Sequence, residues 1–368
     1  MRILPVSAAL SALLLVLVPV VIAPAQPPAP SPEDLPLAGL LDSREKRFKN
    51  VRQITFGGDN AEAYWSFDSK RLIFQHSGSE GVKADQMFVI NADGTGRKLV
   101  SDGRGRCTCG YFLKNNREII YASTTAYGAE IPPPPDRTHG YVWAVYPYYT
   151  IFRANADGTN TRPLFPKNAG PGILTGYNAE STVSPDGKRI IFTSDKDGDL
   201  ELYSMNTDGG DVKRLTHRTG YDGGAYFSPD SKRIVWRAGL PKDEAEAAEY
   251  KRLLKMGLVR PSRMEIWVAD ADGSNARQVT NNGAANFAPF FTPDGKRIIF
   301  ASNHEDKRGR KFETYLINVD GSGLERVTYG NQFDSFPMFS PDGKRIAWAS
   351  NRNGKNHETN IFVADWVP

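Results

Sequence analysis

The sequence of 368 residues contains only two cysteines and has little net charge of either sign. Two cysteines cannot form the disulfide framework of a small secreted domain. Forty-six basic and forty-two acidic side chains give a formal charge of +4, and no basic run is long enough to follow a phosphate backbone. We therefore expect no nucleic acid as a partner. Hydrophobic residues make up 40% of the chain, which excludes wholesale disorder.

Long hydrophobic runs are also missing, apart from one at the N terminus. This run extends from Ile3 to Ala23, and Ala23-Pro24-Ala25 supplies the small residues that signal peptidase requires. The alternative is an uncleaved membrane anchor, because the run approaches spanning length. We predict a signal peptide over residues 1–25, cleaved after Ala25, and a Pro-rich tether over residues 26–47. The mature protein should be periplasmic or secreted, without a stable membrane span.

What the sequence does have is Gly and Pro, with 34 and 25 residues, arranged in a repeat. A segment close to Ser-Pro-Asp-Gly-Lys-Arg-Ile occurs four times, with two more divergent copies. A second segment, close to Asn-Ala-Asp-Gly, lies between these copies. Both predict hairpin turns, because Pro fixes φ, Asp bonds its own backbone and Gly adopts left-handed conformations. We call the first residue of each Ser-Pro-Asp-Gly segment the anchor; the six anchors are Ser66, Leu113, Ser184, Ser228, Thr292 and Ser340.

Each unit predicts four short antiparallel strands, A to D, with hairpin turns between A and B and between C and D. Four-stranded sheets repeated about every 45 residues are typical of a β-propeller. The sixth unit ends at Trp366 without strand D, whereas a spare strand at residues 51–55 precedes the first unit. We predict an all-β, six-bladed propeller over residues 48–368. Its N-terminal strand should pair with the last blade and close the ring.

Two of the units carry an insertion between strands B and C. The insertion at residues 124–147 is rich in Pro and aromatic residues, and the one at residues 240–263 contains a run of strong helix formers. In a propeller, the B–C and D–A loops emerge at one mouth of the central channel. We therefore expect both insertions to cover the same mouth, and we expect function there, because a rigid scaffold positions these loops.

The repeated segments resemble the PD40 repeat of the TolB-like propellers, which are secreted or periplasmic six-bladed proteins. The resemblance covers residues 48–368 and implies a binding scaffold for a protein or a cell-envelope polymer. The Tol-system protein itself has an additional N-terminal α/β domain, which the Pro-rich tether is too short to form. PD40 repeats also form propellers beside prolyl-oligopeptidase-type hydrolase domains. We expect no such peptidase here, because the chain ends with the sixth unit and has no Gly-x-Ser-x-Gly motif.

Aligning the units on their anchors predicts two rings of side chains at the start of strand A, the innermost strand. Six positions before the anchor stand Asn60, Cys107, Asn178, Asp222, Asn286 and Asp334. Four positions before it stand Glu62, Cys109, Glu180, Gly224, Ala288 and Phe336. The two offsets share a side of a regular strand, because successive side chains alternate. The Asn and Asp side chains could instead bond local backbone in turns, an explanation that suits the two glutamates less well.

Several kinds of chemistry are possible at this mouth. The two cysteines could bind a soft metal, form a strained redox-active bridge, or simply pack as small residues. The one cofactor that the sequence suggests is a divalent metal, and its candidate ligands are Glu62, Glu180, Asp222 and Asp334. By strand order, all five histidines map to the same mouth: His76, His139, His217, His304 and His357. Any single one of them could also be an ordinary exposed loop residue.

The first insertion adds aromatic side chains beside its Pro-rich backbone, including Tyr141 and Trp143. They could stack on sugar rings or a peptide, or they could anchor the insertion by packing. Our leading interpretation is an exported monomeric scaffold that binds an envelope or secreted protein, or a polymer, at a mouth that includes His139, Tyr141 and Trp143. The alternative is a metal-assisted polysaccharide lyase or a hydrolase or peptidase acting at this mouth. No residue stands out as catalytic.

Overall fold

The computed structural model describes residues 40–165, 176–330, 333–354 and 358–368. The predicted signal peptide and most of the predicted tether lie outside the described residues. The described residues form 26 β-strands, one α-helix and a short 3₁₀ turn, so the prediction of an all-β fold is confirmed. In this part of the chain, no helix is long and apolar enough to cross a membrane.

Six sheets of four antiparallel strands form the six blades of a propeller, as predicted. In each blade the strands are given from the innermost, A, to the outermost, D. Blade 1 consists of β2 (Asp59–Trp65), β3 (Arg71–Ser77), β4 (Gln86–Asn91) and β5 (Lys98–Leu99). Blade 2 consists of β6 (Cys107–Phe112), β7 (Glu118–Ser123), β9 (Thr150–Asn155) and β10 (Arg162–Pro163). Blade 3 consists of β11 (Asn178–Val183), β12 (Arg189–Ser194), β13 (Glu201–Asn206) and β14 (Lys213–Arg214).

The other three blades follow the same plan. Blade 4 consists of β15 (Tyr221–Phe227), β16 (Arg233–Gly239), β18 (Glu265–Asp270) and β19 (Arg277–Gln278). Blade 5 consists of β20 (Asn286–Phe291), β21 (Arg297–Ser302), β22 (Glu313–Asn318) and β23 (Glu325–Arg326). Blade 6 consists of β24 (Asp334–Phe339), β25 (Arg345–Ser350), β26 (Asn360–Trp366) and β1 (Phe48–Gln53).

The N-terminal strand β1 is strand D of blade 6, so the predicted ring closure is confirmed. It pairs with β26 in antiparallel register, with Phe48 opposite Trp366 and Gln53 opposite Phe362. The ring of Phe48 also stacks on Trp348, with 4.7 Å between the centroids. The two ends of the described chain are therefore joined by backbone hydrogen bonds and by aromatic packing.

The repeated Ser-Pro-Asp-Gly segment forms the A–B turn through a local hydrogen-bond network. In blade 3, Ser184 Oγ donates to Asp186 Oδ1 at 2.6 Å, and Lys188 N donates to the same oxygen at 3.0 Å. Arg189 N then donates to Ser184 Oγ at 2.9 Å, which starts strand B. The same bonds recur in the turns of blades 4, 5 and 6, which explains why the anchors of these four blades are Ser or Thr, followed two residues later by Asp.

The core between the blades is built from one large aromatic side chain on each strand B, eight positions after the anchor. All six are among the largest fully buried side chains: Phe74, Tyr121, Phe192, Trp236, Phe300 and Trp348. Side chains of this size bury large apolar areas, and each of them is worth a few kcal/mol by the cost of its removal. The repeat therefore fixes the packing between the blades as well as the turns.

A β-bulge interrupts every strand A at the same place. The pairing between strands A and B shifts register once in each of the six blades, at the residue four positions before the anchor. That residue has a left-handed φ in every blade, from 47° at Ala288 to 61° at Gly224. A bulge bends its strand and redirects the side chains that follow. The ring of residues four positions before the anchor is thus a ring of bulges.

The two insertions meet each other. Strand β8 (Trp143–Ala144) in the first pairs with β17 (Leu258–Val259) in the second, outside the six blades. The second insertion also forms the helix α1 (Glu244–Lys255), whose N terminus is capped by Asp243 through a bond from Glu246 N. Val142, Leu253 and Leu258 form a small apolar core between the two insertions. We call residues 124–147 and 240–263 together the cap.

Candidate functional site

The structure brings the residues four positions before the anchor together around one narrow cavity in the channel. Glu62, Cys109, Glu180, Gly224, Ala288 and Phe336 all line it. Arg237, from strand B of blade 4, lines the same cavity. The free volume is about 10 Å³, which is enough for one water molecule and too small for a substrate. We call these residues the channel cluster.

Glu180 and Arg237 form a buried ion pair at the centre of the channel cluster. Arg237 Nη2 donates to Glu180 Oε1 at 2.5 Å and to the hydroxyl of Tyr221 at 2.9 Å. Glu180 also accepts hydrogen bonds from Thr193 Oγ1 at 2.7 Å and Gly224 N at 2.9 Å. Burial opposes the charged form of Arg237, but the neighbouring Tyr221 and Glu180 outweigh it and raise the pKa of the guanidinium well above its usual value.

Two glycines in blade 4 make room for this pair. A Cβ at Gly224 would overlap the guanidinium of Arg237, and a Cβ at Gly223 would overlap Glu180 and Tyr221. Gly224 also has the left-handed φ of the bulge, at 61°. Glycine meets both requirements at this position without steric cost.

Glu62 lies on the other side of the cluster, beside a thiol. Cys109 Sγ donates to Glu62 Oε2 at 2.9 Å, and the Tyr64 hydroxyl donates to the same oxygen at 3.0 Å. Burial raises the pKa of Glu62, and it raises the pKa of Cys109 well above the usual value for a thiol. Burial also raises the pKa of Cys107 to about 12. Both cysteines are buried and free, so the structure favours the packing role over a redox bridge.

Trp143 covers the channel cluster from the side of the cap. Its ring centroid lies 5.4 Å from Cζ of Arg237 and 5.1 Å from the ring centroid of Phe287. Its indole nitrogen donates to the Tyr141 hydroxyl at 3.2 Å. The cap therefore packs directly onto the channel and is held to it by a cation–π contact.

The residues six positions before the anchor do not share this environment, contrary to our expectation from strand alternation. All six are fully buried, and they form hydrogen bonds inside their own blade or with the preceding blade. Asn60 Oδ1 bonds to His76 Nδ1 at 2.9 Å, and Asn178 Oδ1 accepts from Ser194 at 2.9 Å. Asn286 Nδ2 donates to Met264 O at 2.7 Å. The bulge at the residues four positions before the anchor breaks the regular alternation. The side chains of the first ring therefore join strands within a blade and to the preceding blade, through bonds that are not confined to local turns.

The two aspartates of this ring each accept a hydrogen bond from a buried tryptophan. Trp236 Nε1 donates to Asp222 Oδ1 at 2.6 Å, and Trp348 Nε1 donates to Asp334 Oδ1 at 3.0 Å. Asp334 is also paired with Arg352, at 2.9 Å. Burial raises the pKa of Asp222 to about 7. Both aspartates therefore have structural partners inside their own blade.

The four carboxylates suggested as metal ligands are consequently not brought together. Glu62 and Glu180 line the channel, whereas Asp222 and Asp334 are held inside blades 4 and 6. Among the described residues, no three His, Cys, Asp or Glu side chains are close enough to hold a metal ion. The physical reason is the bulge, because it leaves Asp222 and Asp334 bonded to Trp236 and Trp348 inside their blades while Glu62 and Glu180 face the channel.

The histidines are also dispersed. His76 is buried and bonded to Asn60, and His304 lies against the ring of Tyr315 at 4.4 Å. His139 ends the 3₁₀ turn of the cap, 3.9 Å from Asp136, and His217 is exposed in a D–A loop. His357 lies outside the described residues. None of the described four enters the channel cluster.

The aromatic residues of the first insertion divide between packing and exposure. Trp143 packs on the channel, Tyr149 is buried, and the Tyr146 hydroxyl donates to Pro133 O at 2.7 Å. Tyr141 and Tyr148 instead face solvent, with 61% and 47% of their surface exposed. Packing therefore accounts for Trp143, Tyr146 and Tyr149, whereas Tyr141 and Tyr148 are left exposed.

Alignment of the six repeat units did not identify Arg237, the one cation in the channel cluster. Its position, nine residues after the anchor, carries Gln75, Ala122, Thr193, Ala301 and Ala349 in the other units. The sequence did contain a signal for Arg237. Only this unit has a charged residue at the position, and the same unit has two successive glycines on strand A.

The comparisons with known proteins agree with this architecture. Residues 259–365 match the family PD40, described as the TolB beta propeller domain. A chain described as TolB from Agrobacterium tumefaciens superposes with a TM-score of 0.54 and 19% identity, covering 84% of this chain and 91% of that one. This chain therefore shares the β-propeller fold of that structure. TolB from Acinetobacter baumannii superposes with a TM-score of 0.54 and 17% identity, covering 82% of this chain and 64% of that one.

The relatives found by sequence match only part of this chain. A TolB homolog of Chlorobium chlorochromatii is 28% identical over 138 residues, which are 32% of this chain and 31% of that protein. An uncharacterized peptidase, YuxL, of Bacillus subtilis is 27% identical over 138 residues, 33% of this chain and 21% of that protein. The chain spans between about a fifth and a half of the length of the curated relatives it matches.

Proposed function

We propose that this TolB-like propeller is an exported binding scaffold that captures a protein or an envelope polymer on the outer surface of the cap. The observation that carries the proposal is the distribution of exposed apolar side chains. Among the described residues, most of the large ones lie on the cap or beside it: Tyr127, Ile131, Tyr141, Tyr148 and Met256. Of the three others, Leu99 and Leu324 lie on blades 1 and 5, and Leu41 precedes β1. A concentration of exposed aromatic residues is typical of an interaction surface.

The surface is rigid enough to serve this purpose. Tyr127 and Tyr148 contact each other, with 5.2 Å between their ring centroids. Arg260 Nη1 of the second insertion donates to His139 O of the first at 3.0 Å, and Val145 N donates to Gly257 O at 2.7 Å. Because the cap is ordered before a partner arrives, little conformational entropy is lost on binding.

Site-specific photo-crosslinking in the source cells tests the proposal. A crosslinker placed at Tyr141 or Tyr148 should yield a discrete partner or sedimentation with the isolated envelope polymer. The matched control positions are Leu99 and Leu324, which are also exposed and apolar but lie on the blades. Equal yields at cap and control positions would contradict the proposal.

Loss of binding provides a second test. Tyr141→Ala with Tyr148→Ala, or deletion of residues 126–138, should abolish capture while circular dichroism shows an intact propeller. Lys188→Ala and Lys296→Ala, in A–B turns at the opposite mouth, should leave capture unchanged. If the lysine variants lose capture and the cap variants keep it, the partner binds at the other mouth.

Export is part of the proposal and rests on the apolar N-terminal run and its Ala-x-Ala site. Intact mass measurement of the protein from the periplasmic or culture fraction should give a chain that begins at Gln26. A full-length chain retained in the membrane fraction would instead identify an uncleaved anchor.

A further inference from the structure

The channel has a second opening, formed by the A–B turns, and this mouth contains a cup of about 410 Å³. All six blades contribute to its lining. The residue after the anchor is at the rim in each of them: Phe67, Lys114, Pro185, Pro229, Pro293 and Pro341. The volume lies in the range of small-molecule sites, which are mostly apolar and largely preformed.

Aromatic rings close the bottom of the cup. Tyr64 contacts Tyr111 at 5.6 Å and Tyr226 at 5.9 Å between ring centroids, and Tyr226 contacts Phe290 at 5.4 Å. These residues stand two positions before the anchor, one layer along the channel from the Glu180–Arg237 pair. The Tyr64 hydroxyl donates to Glu62 of the channel cluster. Tyr64 therefore lines the cup with its ring and not with its hydroxyl. The cup therefore ends at this layer of rings, which lies between it and the channel cluster.

The rim is held in place by hydrogen bonds between adjacent blades. Phe67 N donates to Asn116 Oδ1 at 2.7 Å, and Asp186 N donates to Ser231 Oγ at 3.0 Å. Lys114 Nζ donates to Pro185 O at 2.6 Å. A cup with a fixed rim does not need to be ordered by its ligand, which favours binding of a small molecule.

Every charged side chain in the lining already has partners within the protein. The ammonium of Lys114 lies on the Phe67 ring, at 4.6 Å, in addition to its bond to a carbonyl. Asp186 accepts from its own turn, and so does Asp230, from Ser228 Oγ at 2.5 Å and Lys232 N at 3.1 Å. The lining carries two carboxylates and one ammonium, so an anionic ligand would lose hydration and gain no net countercharge, and a cationic ligand would meet carboxylates already bonded to their turns.

We propose that the cup at the A–B turns binds a small, uncharged molecule with a flat apolar ring system. Such a molecule can stack on Tyr111 and Phe290 and contact the proline rings of the rim. The site is independent of the cap and of the proposed capture function, because the two lie at opposite mouths of the channel.

The test uses two dyes that share one ring system and differ in charge. N-phenyl-1-naphthylamine is uncharged, and 8-anilinonaphthalene-1-sulfonate carries a sulfonate. The purified protein should bind the uncharged dye saturably at one site, and the sulfonate at least tenfold more weakly. No saturable binding of the uncharged dye, or equal binding of both dyes, would overturn the proposal.

Variants locate the dye. Tyr111→Ala removes a ring from the bottom of the cup and should weaken binding at least tenfold, whereas Tyr111→Phe keeps the ring and should bind as the wild type does. Phe290→Ala, on the other side of the cup, replaces Tyr111→Ala if that variant does not fold. Trp143→Ala changes the opposite mouth and should leave binding unchanged. Binding that depends on Trp143 and not on Tyr111 would place the dye on the cap and refute the assignment.

Discussion

The indole ring of Trp143 covers the guanidinium of Arg237, whose central carbon lies 5.4 Å from the ring centroid. Trp143 belongs to an insertion of blade 2, and Arg237 belongs to strand B of blade 4. The contact therefore joins the cap to the one cation of the channel cluster. It also covers the channel at the mouth where the sequence predicts both the insertions and ligand binding.

Replacing Arg237 alone should destabilise the folded protein far more than replacing Arg237 and Glu180 together. Arg237→Met leaves the Glu180 carboxylate buried without its cation and should lower the free energy of unfolding by about 3–5 kcal/mol. The double variant Arg237→Met with Glu180→Leu should recover most of this loss, because no buried charge is left uncompensated. Urea unfolding of the wild type, both single variants and the double variant measures the coupling. Additive losses would show that the two groups act independently.

The two thiols should be inert in the folded protein. Burial raises the pKa of both Cys107 and Cys109, so neither forms a thiolate near neutral pH. Labelling with a disulfide reagent should be negligible under native conditions and should reach two thiols per chain in denaturant. Cys109→Ser assigns any residual native reactivity. Rapid labelling of native Cys109, or a mass lower by two hydrogens, would revive the redox interpretation.

Asp222 should make the protein less stable as the pH rises from 4 to 7. Its pKa is raised by burial to about 7 in the folded state and is close to 3.9 in an unfolded chain. Between these values the folded protein holds a proton that the unfolded chain releases, so the contribution is full below pH 4 and lost above pH 7. Asp222→Asn keeps an acceptor for Trp236 and never ionises.

The difference in unfolding free energy between Asp222→Asn and the wild type should therefore shift in favour of the variant across this window. The slope should approach 1.4 kcal/mol per pH unit, as expected for one proton. Chemical denaturation at several pH values measures it. A difference that stays constant from pH 4 to 7 would show that Asp222 ionises normally.

Ring closure should depend on Phe48. Phe48→Ala removes a buried ring that stacks on Trp348 and should cost about 3–5 kcal/mol, the range for large core aromatics. Lys49→Ala changes the adjacent exposed residue and serves as the matched control, with no measurable effect expected. Thermal and urea unfolding compare the two. Equal stability of both variants would mean that the closing strand contributes little.

The blades could be predicted from the sequence because each repeated residue has a local task. The anchor hydroxyl and the Asp of the turn bond one another, and the aromatic residue eight positions later fills the space between blades. The sequence also indicates the partners of Asp222 and Asp334. Only the two units with Trp eight positions after the anchor have Asp six positions before it, and in both units the Trp donates to the Asp. The bonds of the turn and those of the tryptophans lie within one blade, and the positions of their partners follow from spacing alone.

The channel could be predicted only in part. Alignment on the anchor correctly placed Glu62 and Glu180 on one ring, but it could not show the bulge that separates this ring from Asn60 and Asn178. The bulge residues include Glu, Cys, Gly, Ala and Phe, so no residue type marks them. Contacts between blades, such as that of Trp143 with Arg237, depend on the path of the insertions and have no signature in the repeat.

The closing strand has a consequence for the order of events during synthesis. Thr55 bonds to Asn360, and 305 residues separate them in sequence. Chains are made from the N terminus, so β1 is complete long before its partner β26 exists. Until then its edge has no strand to pair with, and such an edge is open to pairing with another chain. The nascent protein must keep this edge occupied or hidden until β26 has emerged.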